Sequence, residues 1–176
     1  MGARHKISAK KTALCGVMTA LALVLGYLEH LIPFTVGIYG IKLGLANLVT
    51  VMSMYLLGGM SAAVINLVRI VVSSLLFGNT VSLAYSLAGG LLSTLVMLAV
   101  KRLPRIGTVG VSICGGITHN IAQLAVAIVL VSELKIAFYL PVLLSAGALT
   151  GFAIGIISLP IISNGHIKKL CKDHCE

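Results

Sequence analysis

Long apolar runs, separated by short polar or glycine-containing breaks, dominate the chain. An α-helix needs roughly 20 apolar residues to cross a bilayer. The pattern is interrupted at Gly58-Gly59, at Gly78-Asn79, in the segment KRLPR and in the segment SELK, because glycine, proline and clustered charges end apolar helices. The breaks predict an all-α integral membrane protein with six transmembrane helices, at residues 12–32, 42–57, 60–77, 80–100, 107–131 and 136–162. Residues 1–11 and 163–176 are then basic segments outside a transmembrane domain of residues 12–162.

Composition supports this assignment. Charged residues make up 10% of the chain and hydrophobic residues 59%, whereas about a quarter of a soluble domain is charged. The net charge of +9 comes from short cationic runs between apolar blocks, and not from a continuous basic face that would suit nucleic acid. Ten of the 13 Lys and Arg residues lie before the first helix, between the fourth and fifth helices, or after the sixth. The positive-inside rule therefore predicts a multi-pass protein of the cytoplasmic membrane with both termini cytoplasmic.

Arg69 stands near the middle of the third predicted helix, with Asn66 three residues before it and Ser73 four residues after it. Its guanidinium stays charged, and placing it at mid-bilayer costs about 2.5–3.5 kcal/mol on insertion scales. No Asp or Glu lies within the cores of the predicted helices. Either Arg69 is structural, bonded to backbone carbonyls, Asn66 or Glu29, or an anionic ligand completes its surroundings. The scarcity of internal acids favours the ligand, because the guanidinium fork suits phosphate and carboxylate.

The segment GGITHNIAQL places three polar side chains on the fifth predicted helix. His119 and Gln123 are four residues apart, and Asn120 and Gln123 are three apart, so the three share one broad face. Polar groups at membrane depth are costly and face the bundle interior. We expect a pocket, open to the outside, that accepts a small anionic or amphipathic molecule, although helix–helix hydrogen bonds alone would also explain these residues. Its predicted lining is Arg69, Asn66, Asn47, His119, Asn120 and Gln123, with Lys42 as a second charge.

The first predicted helix carries small residues four apart, which let another helix approach closely. The pairs are Ala9/Ala13, Gly16/Ala20 and Ala22/Gly26. They serve either internal packing or a partner helix, and we expect Gly16, Ala20, Ala22 and Gly26 to be the packing positions. The following segment, residues 33–41, is either an ordinary loop or a lid over the pocket.

Several chemistries find no support in the residues. The chain has no phosphate-binding GxxxxGK[ST] loop and no paired carboxylates for a magnesium–diphosphate site, so we expect no enzyme activity from this chain alone. Cys171, His174 and Cys175 in the tail are weak metal-ligand candidates, since structural zinc sites usually have four ligands. We therefore predict neither a metal site nor a cofactor bound by these motifs.

Six ordered blocks carry a resemblance to a known family. YLEHLIP, GIKLGLANLVTV, RIVVSSLLFGN, SLAYSLAGGLLS, GGITHNIAQL and YLPVLLSAG resemble the Gx transporter family, also labelled heptaprenyl diphosphate synthase component I. The similarity covers about residues 10–160. The family is similar in architecture to the substrate-binding S components of energy-coupling-factor (ECF) importers, which are six-helix membrane proteins with cytoplasmic termini.

The resemblance implies three roles. The first is a solute-binding or transport subunit, with an ECF coupling subunit and ATPases as partners and with the small residues of the first helix as the contact. The second is a subunit of an extracellular electron-transfer system of Gram-positive bacteria, beside a NusG-domain-like, flavin-bearing partner and with a quinone as candidate cofactor. The third is an accessory membrane subunit of prenyl diphosphate synthesis.

Overall fold

A computed structural model describes residues 9–31 and 44–172 of the chain. These residues are almost entirely helical and contain no β-strand. A short 3-10 helix, Leu134–Tyr139, leads directly into α6. The α-helices are α1 (Ala9–Leu31), α2 (Leu45–Leu56), α3 (Gly59–Phe77), α4 (Thr80–Val100), α5 (Thr108–Val131), α6 (Leu140–Ser163) and α7 (Gly165–Lys172).

The predicted breaks between helices are confirmed. Gly58 separates α2 from α3 with a φ of 92°, a conformation that a residue with a side chain rarely adopts. Asn79 begins α4, because its side chain accepts a hydrogen bond from the Ser82 backbone N–H at 2.8 Å. Such a cap satisfies one of the unpaired donors at a helix N-terminus. Pro104 lies in the turn between α4 and α5.

Within residues 9–31 and 44–172, five segments are long and apolar enough to cross a membrane: α1, α3, α4, α5 and the 30-residue stretch Leu134–Ser163. The fold is therefore that of a multi-pass membrane protein. The predicted second helix is present as α2, but its 12 described residues span about 18 Å at 1.5 Å per residue, so a sixth crossing stays a prediction. Residues 42 and 43, which the prediction included in this helix, lie outside the described residues.

The short helix α2 lies inside the bundle. It packs against α1, α3 and α6, while α6, α5, α4 and α3 follow one another around the bundle and α1 closes it against α3. Val49, Val51 and Met54 of α2 are completely buried. The long helices instead expose large apolar side chains such as Leu75, which suits contact with lipid. Contact with its neighbouring helices, and not with lipid, therefore accounts for the burial of α2.

Glycines allow α5 and α6 to touch along their backbones. A Cβ on Gly151 of α6 would lie 2.6 Å from the Ser112 carbonyl oxygen of α5 and 2.8 Å from Ile113 Cα. Gly116 of α5 and Gly147 of α6 likewise leave no room for a side chain between the two helices. Small residues at such crossings allow the close contact that stabilises helix pairs in membranes.

One end of the bundle, here called the basic end, is formed by the α4–α5 turn and α7. The Lys101 ammonium donates a hydrogen bond to the Met54 carbonyl oxygen at 2.5 Å and lies 4.5 Å from the centre of the Tyr55 ring. This hydrogen bond satisfies one of the carbonyl groups that have no partner within the last turn of α2. Burial lowers the pKa of Lys101. The tail predicted from residue 163 begins with α7, whose Ile167 and Cys171 pack against the apolar end of α2.

Candidate functional site

All six long or central helices contribute to one cavity. It has a volume of about 70 Å³ and lies beside the N-terminal end of α2, away from the basic end. This volume is several times what one water molecule needs, so the cavity has room for a small solute. Most of its described lining is polar or charged: Glu29, Gly44, Ala46, Asn47, Arg69, Ser86, Gly116, His119, Asn120, Gln123, Thr150 and Ile154.

Arg69 enters this cavity from α3. Its Nε and Nη2 atoms both donate to Asn66 Oδ1, at 3.2 and 2.6 Å, and within the described residues its hydrogen bonds go to this one oxygen. A guanidinium has five N–H donors. The two bonds to Asn66 therefore leave three donors for other partners at the cavity.

Asn66, which accepts both hydrogen bonds from Arg69, is only 1% exposed. Its Nδ2 donates to Thr94 Oγ1 at 2.9 Å and to the Gly90 carbonyl at 3.1 Å, while Thr50 Oγ1 donates to its Oδ1 at 3.4 Å. Every polar atom of the amide is thus used by α2, α3 or α4. Asn66 is not among the described lining residues of the cavity and contacts Arg69, so its predicted contact with a ligand stays a prediction.

The polar face predicted on α5 does point into the cavity. His119, Asn120 and Gln123 all line it, and Asn120 Nδ2 also donates to the Leu143 carbonyl of α6 at 2.7 Å. Gly89 of α4 makes room for this face, since a Cβ there would lie 2.8 Å from His119 Cε1 and 3.1 Å from Gln123 Cγ. The two neighbouring glycines of the segment SLAGG therefore allow two close contacts: Gly89 leaves room for His119, and Gly90 leaves room for Asn66.

Glu29 is the residue that sequence reasoning left out of the site. It lies in the last turns of α1, lines the cavity together with Arg69, and interacts with it electrostatically. Its Oε1 accepts a hydrogen bond from the Gly44 backbone N–H at 2.5 Å, which ties the end of α1 to the start of α2. The signal available in the sequence was that Glu29 is the one acidic residue of the predicted helices. Ser86 and Thr150 also line the cavity, and nothing in their spacing marked them.

The other predicted positions are distributed differently. Asn47 lines the cavity, whereas Lys42 and the predicted lid at 33–41 lie outside the described residues. Cys171 is buried in the apolar cluster at the end of α2, and its proposed co-ligands His174 and Cys175 also lie outside the described residues. The tail thus offers nothing further on a metal site.

The small residues of α1 divide into two groups. Ala22 is 1% exposed, and a Cβ on Gly26 would lie 3.7 Å from Ala46 Cβ, so these two positions pack inside the bundle. Gly16 and Ala20 are exposed on the outer surface, and a Cβ on Gly16 would meet no atom of the described residues within 4 Å. Internal packing therefore explains Ala22 and Gly26, whereas among the described residues it does not explain the exposed positions Gly16 and Ala20.

Taken together, the described fold and cavity define a class: a helical, multi-pass membrane protein with a polar cavity inside its bundle. Within that class the chain belongs to the family described as heptaprenyl diphosphate synthase component I, whose characteristic sequence matches residues 18–160. The matched residues include Arg69, Asn66 and the α5 polar face. Comparisons with curated proteins and with solved structures found no match.

Proposed function

We propose that this protein is a membrane solute-binding subunit of the ECF S-component type, which binds a small molecule carrying an anionic group. The observation that supports the proposal is Arg69, whose hydrogen bonds to described residues end on one amide oxygen. A protein that needed this charge only for packing would be expected to satisfy more of its donors internally, because unsatisfied polar groups are costly at membrane depth. Arg69 also lines a cavity with space for a small ligand.

The exposed face of α1 supports the same proposal. Gly16 and Ala20 lie on the outer surface, where a small residue allows the backbone of another helix to come close. A solute-binding subunit of an importer requires a membrane partner that couples it to ATP hydrolysis. We propose this face as the contact with that partner, with the six-crossing topology and cytoplasmic termini predicted from the loop charges.

Native mass spectrometry of the protein, purified gently from its own membrane, tests the proposal. We expect the wild-type protein to carry a small-molecule adduct that Arg69→Gln loses. Arg102→Gln is the matched control, because Arg102 is exposed in the α4–α5 turn and the variant should retain the adduct. An adduct of equal occupancy in the wild type and in Arg69→Gln would contradict ligand recognition by Arg69. A wild-type protein that carries no adduct and also binds no added small anion or amino acid would contradict the proposal itself.

Family membership favours a second candidate, an accessory membrane subunit beside a partner enzyme of prenyl diphosphate synthesis. In that role the chain would supply the anion-recognising arginine and membrane attachment, and the partner would supply the carboxylates that bind the metal. Co-purification of a soluble synthase in the same experiment would favour it. The quinone-linked electron-transfer role stays a prediction, for which a cavity of about 70 Å³ with a largely polar lining gives no direct support.

A further inference from the structure

The cavity is lined by two oppositely charged side chains whose hydrogen bonds go to other residues. Arg69 donates its hydrogen bonds to Asn66, whereas Glu29 accepts its hydrogen bond from the Gly44 backbone. Both side chains line the same cavity. Within the part of the chain that the structure describes, the second carboxylate oxygen of Glu29 makes no hydrogen bond, and three guanidinium donors of Arg69 are similarly uncommitted. The site therefore offers an acceptor and a donor set at separate positions.

Charge balance then limits the kind of solute that fits. The charges of Arg69 and Glu29 cancel, so with His119, which also lines the cavity, as a neutral imidazole, a solute bearing only a negative charge would leave the cavity with a net negative charge. Enclosing a net charge in a low-dielectric bundle is costly, whereas a solute with one positive and one negative group preserves neutrality. The neutral lining residues Asn47, Ser86 and Thr150 add hydrogen-bonding groups but no charge.

We propose that the solute is a small zwitterion, with its anionic group on Arg69 and a protonated amine on Glu29. This inference rests on the proposed solute-binding function and specifies its substrate class. The volume of about 70 Å³ is several times what one water molecule needs, which suits a short amino acid.

The test compares solutes matched in length but not in charge. The probes are glycine, 3-aminopropanoate and 4-aminobutanoate, the carboxylates acetate, propanoate and butanoate, and the amines of corresponding length. Thermal unfolding of the full chain in nanodiscs reports binding, because a ligand that binds only the folded state raises Tm. Titration calorimetry then gives Kd for the probes that act. We expect at least one amino acid to bind at least about tenfold more tightly than its matched carboxylate and amine.

Two variants separate recognition from folding. Glu29→Gln retains an oxygen that can accept from the Gly44 N–H, so the α1–α2 connection is preserved while the charge is removed. We expect it to weaken binding of the amino acid about tenfold or more and to leave binding of the carboxylate unchanged or stronger. Glu133→Gln removes the same charge from an exposed residue in the α5–α6 connection and should change neither affinity.

The outcomes distinguish this inference from the proposed function. If a carboxylate binds the wild type as tightly as its amino acid and Glu29→Gln has no effect, the zwitterion inference is wrong and the anion-binding function stands. If native mass spectrometry finds an adduct that depends on Arg69 but no probe raises Tm, the inference is again overturned alone. If no adduct and no probe binding is found, both proposals are wrong.

Discussion

Replacing Asn66 with leucine tests whether this amide is the structural support of Arg69. Leucine branches at the same carbon as asparagine but is larger, and it cannot accept the bonds from Arg69 Nε and Nη2 or donate to Thr94 and Gly90. Hydrogen bonds to a charged group contribute about 1.5–3 kcal/mol, and neutral ones inside membrane bundles average about 0.6 kcal/mol. We therefore expect Asn66→Leu to lower the free energy of unfolding by about 2–4 kcal/mol.

The assay is reversible unfolding by sodium dodecyl sulfate in mixed micelles, followed by circular dichroism. Asn47→Leu is the matched control, because Asn47 lines the cavity but its side chain makes no hydrogen bond to another described residue, so we expect a change below about 0.5 kcal/mol. An Asn66→Leu protein as stable as the wild type would refute the reasoning. So would an equal loss in the two variants, since it would point to polarity at the cavity and not to the hydrogen bonds of Asn66.

A double-mutant cycle isolates the contact itself. Arg69→Leu removes a charge whose enclosure is costly, so we expect it to destabilise the protein less than Asn66→Leu does. The two substitutions together should be less damaging than their separate effects predict, by about 1–2 kcal/mol, because residues in one hydrogen-bonded network are not independent. Additive effects would show that Asn66 and Arg69 are not energetically coupled.

Two further predictions concern the helices that enclose the site. Gly151→Ala would place a Cβ 2.6 Å from the Ser112 carbonyl oxygen, so α5 and α6 must separate, and we expect a loss of about 1–3 kcal/mol in the same unfolding assay. Gly16→Ala, where a Cβ meets no atom of the described residues within 4 Å, should be neutral or slightly stabilising, and equal losses would contradict the close α5–α6 contact. Lys101→Met removes the hydrogen bond to Met54 and the contact with the Tyr55 ring and should cost about 1–3 kcal/mol, whereas the exposed Arg105→Met should cost less than about 0.5 kcal/mol. Similar unfolding curves for both variants would show that Lys101 does not stabilise the end of α2.

Local features of the sequence were sufficient to predict the helices and part of the site. Glycine at 58, the asparagine cap at 79 and the proline at 104 act on their own neighbours, so their effect on the backbone could be predicted without the rest of the fold. The shared face of His119, Asn120 and Gln123 follows from helical periodicity alone. Their orientation toward the interior follows from the cost of exposing polar groups to lipid.

The complete site could not be predicted in this way, because it is formed by contacts between residues that are distant in the sequence. Glu29 and Arg69 are 40 positions apart in the sequence, and only the packing of α1 against α3 brings them to one cavity. The spacing of Asn66 and Arg69 predicted that they are neighbours, but not that α4 would engage the amide.

The same distinction explains α1 and α2. Hydrophobicity along the chain predicted both helices, because burial in lipid and burial in protein favour the same apolar residues. It could not determine that α2 is a 12-residue helix enclosed by its neighbours, or that Ala22 faces the bundle while Gly16 faces outward. The sequence by itself determined the class of protein and the positions of its helical segments, since these depend on hydropathy and short-range sterics. The tertiary structure alone decided which polar groups meet, because this depends on the rotation and depth of each helix relative to its neighbours.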